Sequence, residues 1–111
     1  MKKTQENINK VAEYILKACG ASTKHYPADT TWKQFHKCQA WISNCINNRY
    51  FLIRSYNTIV AVIDDQNGEL YELGKWSVTT SKQVTQIFNL SDNEAYNTFD
   101  FQKLNKRYLV K

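Results

Sequence analysis

Two histidines and three cysteines are the side chains of this sequence best suited to catalysis or metal binding. His36 and Cys38 stand two residues apart, which on a strand would place an imidazole base and a thiol nucleophile on one face. No third residue that would orient the base is implied, and neither His25 nor His36 lies in a triad or elbow motif. Surface or packing roles explain both histidines more simply, so we expect a protein that is not an enzyme.

Four of these side chains could in principle form a zinc site: His25, His36, Cys38 and Cys45. Strong zinc motifs pair their ligands across short gaps, whereas ten residues separate these histidines and six separate these cysteines. Free buried cysteine is the more common situation, and we expect no metal and no cofactor. The odd number of cysteines favours free thiols in a reducing compartment, which predicts a cytoplasmic protein.

Acidic side chains cluster in one short segment, at Asp64, Asp65, Glu69 and Glu72. A calcium loop requires oxygen ligands at alternating positions that end in a bidentate acid, and this segment lacks that order. The glycines are too far apart to form a phosphate-binding loop. We therefore expect the acids to solvate the tip of a hairpin.

Between Lys24 and Arg54, basic residues alternate with aromatic ones. Nucleic-acid-binding proteins use cations along phosphates and aromatic rings against bases, and protein interfaces also favour Trp, Tyr and Arg. In the simpler alternative, the aromatic rings form the core and the cations are its solvated face. The candidate partner-binding residues are Trp32, Lys33, Lys37, Trp41, Arg49 and Arg54.

The formal net charge of +5 is unevenly distributed. Residues 1–63 contain nine basic and three acidic residues, a local charge of +6. Residues 64–75 contain one basic and four acidic residues, and residues 76–111 contain five basic and three acidic residues. A basic surface suits nucleic acid or an acidic protein face. The same charge argues against a protein that imitates the DNA backbone.

The hydrophobic pattern predicts an α+β fold in one domain, residues 1–111. Apolar residues at helical spacing predict an amphipathic helix over about residues 5–19, ended by Gly20. Residues 50–53, 58–63 and 69–73 predict a three-stranded antiparallel meander with turns at 55–57 and 65–68. Residues 32–45 fit a helix or a strand equally well.

One or two short helices are expected after the meander. Thr80 and Gln83 form a capping-box pattern before an apolar stripe, and Ser91 and Glu94 repeat it. We expect residues 91–111 to form a docked tail after a helix and connecting segment at 1–48 and a sheet–helix unit at 49–90. No run approaches the roughly 18 apolar residues that span a bilayer, so no membrane partner is expected.

The segment Ser55 to Asp64, SYNTIVAVID, and the segment Ser77 to Gln83, SVTTSKQ, resemble a domain of unknown function from small proteins of phages and plasmids of Gram-positive bacteria. The resemblance covers about residues 49–89 and leaves 1–48 outside it. It implies a strand–turn–strand unit that ends in a Thr-capped helix. Many members of that family have His where this chain has Gln83, so an imidazole role does not transfer.

Domains of this kind are associated with anti-CRISPR proteins. The resemblance therefore implies an inhibitor of host defence, encoded by a mobile element and acting in the cytoplasm of the bacterial host. Its partner would be a type II CRISPR effector nuclease, bound stoichiometrically at an acidic protein surface or through the guide RNA. The alternative is a nucleic-acid-binding accessory protein of a phage or plasmid.

Overall fold

A computed structural model describes residues 5–35, 39–73, 78–90 and 106–108. It begins with α1, Gln5–Ala18, which packs its apolar stripe against the sheet as the sequence predicted. The helix ends in a Schellman motif, in which Ala21 N–H donates to Leu16 O at 2.8 Å and Gly20 N–H donates to Lys17 O at 3.0 Å. Gly20 has φ 68°, the left-handed conformation that glycine adopts without steric cost.

The sheet has the strand order β1-β2-β3-β4-β5-β6. Neighbouring strands from β1 to β5 are antiparallel, and β6 is parallel to β5. After the sheet's first five strands, α2 spans Val78–Leu90. The strands are β1 Trp32–Gln34, β2 Ala40–Ser43, β3 Tyr50–Ser55, β4 Thr58–Asp64, β5 Glu69–Glu72 and β6 Lys106–Tyr108.

The prediction of an α+β fold is confirmed, but the prediction of three strands is wrong. The predicted meander corresponds to β3, β4 and β5, and β1 and β2 extend it to five antiparallel strands. Residues 32–45 were ambiguous because each of the two strands has only three or four residues, too few to establish an alternating pattern. Pairing of β2 with the open edge of β3, and of β1 with β2, decides in favour of strands over a helix.

Two apolar layers cover the two faces of this sheet. On the first face, Ile8, Ala12 and Ile15 of α1 pack with Leu52 and Val62. On the second face, Val84 and Ile87 of α2 pack with a further set of strand residues, including Phe51, Ile53, Ile63 and Leu70. Because side chains of a strand alternate between faces, the continuously apolar β3 and β4 supply both layers.

The helix after the meander is confirmed, and it starts earlier than its capping pattern suggested. α2 begins at Val78, so Thr80 lies inside the first turn, where its Oγ1 is 3.5 Å from Ser55 Oγ. The second helix predicted at Ser91 lies outside the described residues. Residues 106–108 add β6 to the edge of β5, so this part of the tail joins the sheet. None of the described helices has the length and apolarity needed to cross a membrane.

Candidate binding site

Arg54 and Trp41 are direct neighbours on one face of the sheet. The β2–β3 register places Trp41 opposite Arg54, and residues opposite each other in an antiparallel pair share a face. Trp32 is opposite Ser43 in the β1–β2 register, which places it on that same face, two residues along β2 from Trp41. Three neighbouring strands therefore bring together Trp32, Trp41 and Arg54.

The guanidinium of Arg54 lies among three aromatic rings. Its central carbon is 4.4 Å from the ring centroid of Trp41 and 4.8 Å from that of Trp32. Tyr26 lies 5.7 Å from the same carbon, and its ring meets Trp32 edge-to-face with centroids 5.0 Å apart. We call Tyr26, Trp32, Trp41 and Arg54 the Arg54 cluster. Cation–π contacts of this kind contribute roughly 0.5–2 kcal/mol each, more when water is excluded.

The connection between α1 and β1 delivers Tyr26 to the cluster. After the Gly20 cap, Thr23 O accepts a hydrogen bond of 2.7 Å from Ile59 N–H, which ties the connection to β4. At its other end, Thr31 N–H donates to Asn44 Oδ1 at 2.9 Å. The β3–β4 register also shifts between Ile53 and Arg54, and such bulges re-aim side chains.

Two buried donors within the cluster have no hydrogen-bond acceptor among the described residues: Arg54 Nε and Trp32 Nε1. Arg54 Nη1, in contrast, donates to Tyr56 O at 2.7 Å. An unsatisfied buried donor costs about 1–3 kcal/mol, so the cluster is not arranged for stability alone. Arg54, Trp32 and Trp41 are all half-buried, and each keeps surface that a partner can contact.

An open cavity of about 330 Å³ lies beside Trp32. It is formed where the start of β1 and the end of β2 meet the start of β3, and both polar and apolar side chains line it. Because Lys33 and Phe51 project from the α2 face, the cavity is not part of the Arg54 cluster. Its lining includes Trp32, Lys33, Asn44, Cys45 and Phe51.

The six predicted binding residues do not share one surface. Lys33 is opposite Ile42 in the register, so it projects from the α2 face, away from the cluster. Arg49 precedes β3, whereas Arg54 is near its end, and five residues of strand span about 16 Å. Lys37 lies outside the described residues. Of the five predicted residues within the described ranges, the structure brings together Trp32, Trp41 and Arg54.

Arg49 forms a bidentate ion pair with Asp64. Arg49 Nε donates to Asp64 Oδ1 and Nη2 donates to Oδ2, both at 2.9 Å. Asn67 Nδ2 also donates to Oδ2 at 3.1 Å. Asp64 is only 5% exposed and Glu72 only 3%, so the expectation that the acids solvate a hairpin tip is wrong for these two residues. The net charge of a segment does not show which of its acidic side chains become buried when the strands pair.

The Arg49–Asp64 pair predicts a loss of stability at acidic pH. Hydrogen bonding from Arg49 holds the pKa of Asp64 below its usual range, against the opposing effect of burial. Because the pKa of Asp64 is lower in the folded than in the unfolded state, the ionised carboxylate stabilises the fold above the unfolded pKa of about 3.9. This stabilisation is lost as the pH falls through the folded-state pKa. Urea unfolding of the wild type should therefore show stability decreasing below about pH 4.

The Asp64→Asn variant provides the control for this pH dependence. It should be less stable than the wild type at pH 7, because it removes the charge that Arg49 pairs with. The difference between the two proteins should narrow as the pH falls below 4. Parallel curves for wild type and variant would contradict the assignment.

The described cysteines do not form a reactive site. Burial raises the pKa of the Cys19 thiol to about 11, with a smaller effect from nearby Cys45. Burial, followed by Asp65, also raises the pKa of Cys45, so both thiols are protonated at neutral pH. Within the described ranges, no three His, Cys, Asp or Glu side chains form a group suited to a metal ion. His36 and Cys38 lie outside those ranges.

Neither Tyr26 nor Tyr56 was among the six predicted binding residues. Tyr26 belongs to an irregular connection, and its contact with Arg54 depends on how that connection crosses the sheet. For Tyr56 the sequence left two roles open, recognition of a partner and the simpler role of a turn residue. Phe35 and Phe51, two other aromatic residues between Lys24 and Arg54, are 0% and 2% exposed. For these two residues, the simpler alternative that the aromatic rings form the core is confirmed.

Comparison with known proteins gives one family. A model described as a family of unknown function, DUF8033, matches residues 5–103. The matched span includes most of residues 1–48, which the resemblance noted in the sequence did not cover. No curated protein and no solved structure matches the chain.

Proposed function

The chain belongs to a family of unknown function, DUF8033, and from its Arg54 cluster we propose that it is a binding module that holds a protein partner without transforming it. The observation that carries this proposal is the stacking of Arg54 on Trp41 and Trp32 at 4.4 and 4.8 Å. Trp, Tyr and Arg are the residue types that contribute most of the energy in protein interfaces. Here they meet on one half-buried surface.

A protein partner fits this surface better than a nucleic acid does. Non-specific nucleic-acid binding needs a row of cations along the phosphate backbone. Of the predicted cations, Lys33 projects from the opposite face and Arg49 is engaged by Asp64. The half-buried rings of Trp32 and Trp41 offer a contoured aromatic surface of the kind found at the centre of protein interfaces.

The partner that we propose is a type II CRISPR effector nuclease. The support is the resemblance of Ser55–Asp64 and Ser77–Gln83 to small proteins of phages and plasmids. A basic inhibitor with net charge +5 would bind an acidic surface of the nuclease or its guide-RNA complex, and would act stoichiometrically in the bacterial cytoplasm. Nucleic-acid binding by a phage or plasmid accessory protein is the second candidate, supported by that same charge.

A cleavage assay tests the proposed function. Purified protein is added to a guide-loaded type II effector before the target DNA, and cleavage is followed against the ratio of protein to effector. Stoichiometric binding predicts that inhibition is complete near a fixed molar ratio. Uninhibited cleavage at a large excess, with several type II effectors, would refute this choice of partner.

A mobility-shift assay separates the second candidate. Phosphate contacts give an affinity that falls linearly with salt on logarithmic axes. We expect no shift of generic duplex or single-stranded DNA at moderate salt. A shift with a steep salt dependence, together with uninhibited cleavage, would favour the accessory protein.

A further inference from the structure

The β3–β4 hairpin places an aromatic residue in a backbone conformation that aromatic residues avoid. The hairpin turns through Tyr56 and Asn57, between the paired residues Ser55 and Thr58. Tyr56 has φ 51°, which is uncommon for a bulky side chain. Asparagine tolerates this region much better, and the two other non-glycine residues with positive φ in the described ranges are Asn47 and Asn48.

Two hydrogen bonds of the Tyr56 backbone hold it in this conformation, one from its N–H and one to its carbonyl. Its N–H donates to Gln39 O at 3.0 Å, next to the start of β2. Its carbonyl accepts from Arg54 Nη1 at 2.7 Å, and Arg54 is itself stacked on Trp41. The Arg54 cluster therefore helps to fix the hairpin tip.

The side chain of Tyr56 contributes little to the stability of the fold, although its backbone is strained. It is 63% exposed, so most of its ring remains in water. A Tyr side chain on a fixed backbone has only two side-chain torsions to immobilise on binding, which makes it a favourable interface anchor. Strained residues held by their surroundings are found preferentially at functional sites.

We infer that Tyr56 is an anchor that the protein inserts into an apolar pocket on its protein partner, with a hydrogen-bonding group at the base of the pocket for the phenol hydroxyl. This inference rests on the proposed function and extends the site from the Arg54 cluster to the hairpin tip. It predicts that stability and binding respond in opposite directions when Tyr56 is replaced.

The stability test uses Tyr56→Asn and needs no partner. Asparagine relieves the strain at positive φ, so the melting temperature should rise by roughly 2–6 °C. Tyr14, which is 68% exposed on α1, provides the matched control, because Tyr14→Asn makes the same change on a helical backbone. That control should have an unchanged or slightly lower melting temperature. A lower melting temperature for Tyr56→Asn would overturn the inference.

The binding test uses the guide-loaded type II effector as the probe, with titration calorimetry as the measurement. Tyr56→Asn should weaken binding at least 10-fold, while Tyr14→Asn should bind like the wild type. Tyr56→Phe keeps the ring and lacks only the hydroxyl, so it should lose less affinity than Tyr56→Asn. Full affinity of Tyr56→Asn for an effector that the wild type binds would overturn the inference and leave the proposed function intact.

A wild-type protein that does not bind the effector would instead count against the proposed function. Photo-crosslinking from benzoylphenylalanine at position 56, with position 14 as the control, then tests the anchor in a host lysate. A protein adduct formed only from position 56, and competed by excess wild type but not by Tyr56→Asn, would support the inference. The absence of such an adduct would overturn it.

Discussion

Replacing Arg54 with alanine is expected to raise the concentration needed to inhibit the effector by about 30-fold or more, the effect of losing an interface residue worth at least 2 kcal/mol. The substitution removes the guanidinium from between Trp32 and Trp41 and leaves Tyr56 O without its donor. Both the stacked surface and the hairpin tip would be altered. The cleavage assay measures the effect directly.

Two further variants separate the cluster from simple positive charge. Arg54→Lys keeps the charge but loses the planar group that stacks on the rings, so we expect it to be nearly as impaired as Arg54→Ala. Lys33→Ala removes a cation from the opposite face and should inhibit like the wild type. Equal losses for Lys33→Ala and Arg54→Ala, with Arg54→Lys fully active, would show that charge alone determines binding.

Phe51→Ala is expected to have the largest effect on stability, a loss of about 3–5 kcal/mol. Phe51 is 2% exposed and lies on β3, where its ring belongs to the layer that packs against α2. Truncation would open a cavity between the central strands and Val84 and Ile87. The loss would be a large share of the roughly 5–15 kcal/mol by which a domain is stable.

Urea unfolding measures this loss as a shift of the midpoint at an unchanged slope. Tyr14→Ala is the control, because an exposed helix residue should change stability by no more than about 0.5 kcal/mol. A loss below about 1 kcal/mol for Phe51→Ala would mean that the layer beneath α2 is not packed as described.

The prediction that Arg49 and Arg54 belong to one binding surface differs most from the structure. Both residues are basic, both lie within two positions of a tyrosine in the sequence, and they are only five positions apart. They nevertheless lie near opposite ends of β3, where one pairs with Asp64 and the other stacks on Trp41. Their different roles follow from the strands that adjoin them, which a local reading of the sequence does not include.

The sequence by itself determined the elements whose signals are local. The apolar period of α1 and the glycine that ends it, the β-branched runs of β3 and β4, and the turn at residues 65–68 all depend on near neighbours in the chain. A helix or a hairpin is formed by such contacts, so its pattern can be read along the sequence.

Only the tertiary structure decided that Trp32–Gln34 and Ala40–Ser43 are strands, and which residues form the binding surface. β2 pairs with the edge of β3 and β1 pairs with β2. Tyr26 reaches Arg54 because an irregular connection crosses the sheet. The strain at Tyr56 likewise depends on the hydrogen bond that its N–H donates to Gln39 O and on the one that its carbonyl accepts from Arg54 Nη1. Each of these features joins parts of the chain through pairing or packing, and such contacts leave no periodic signal in either segment.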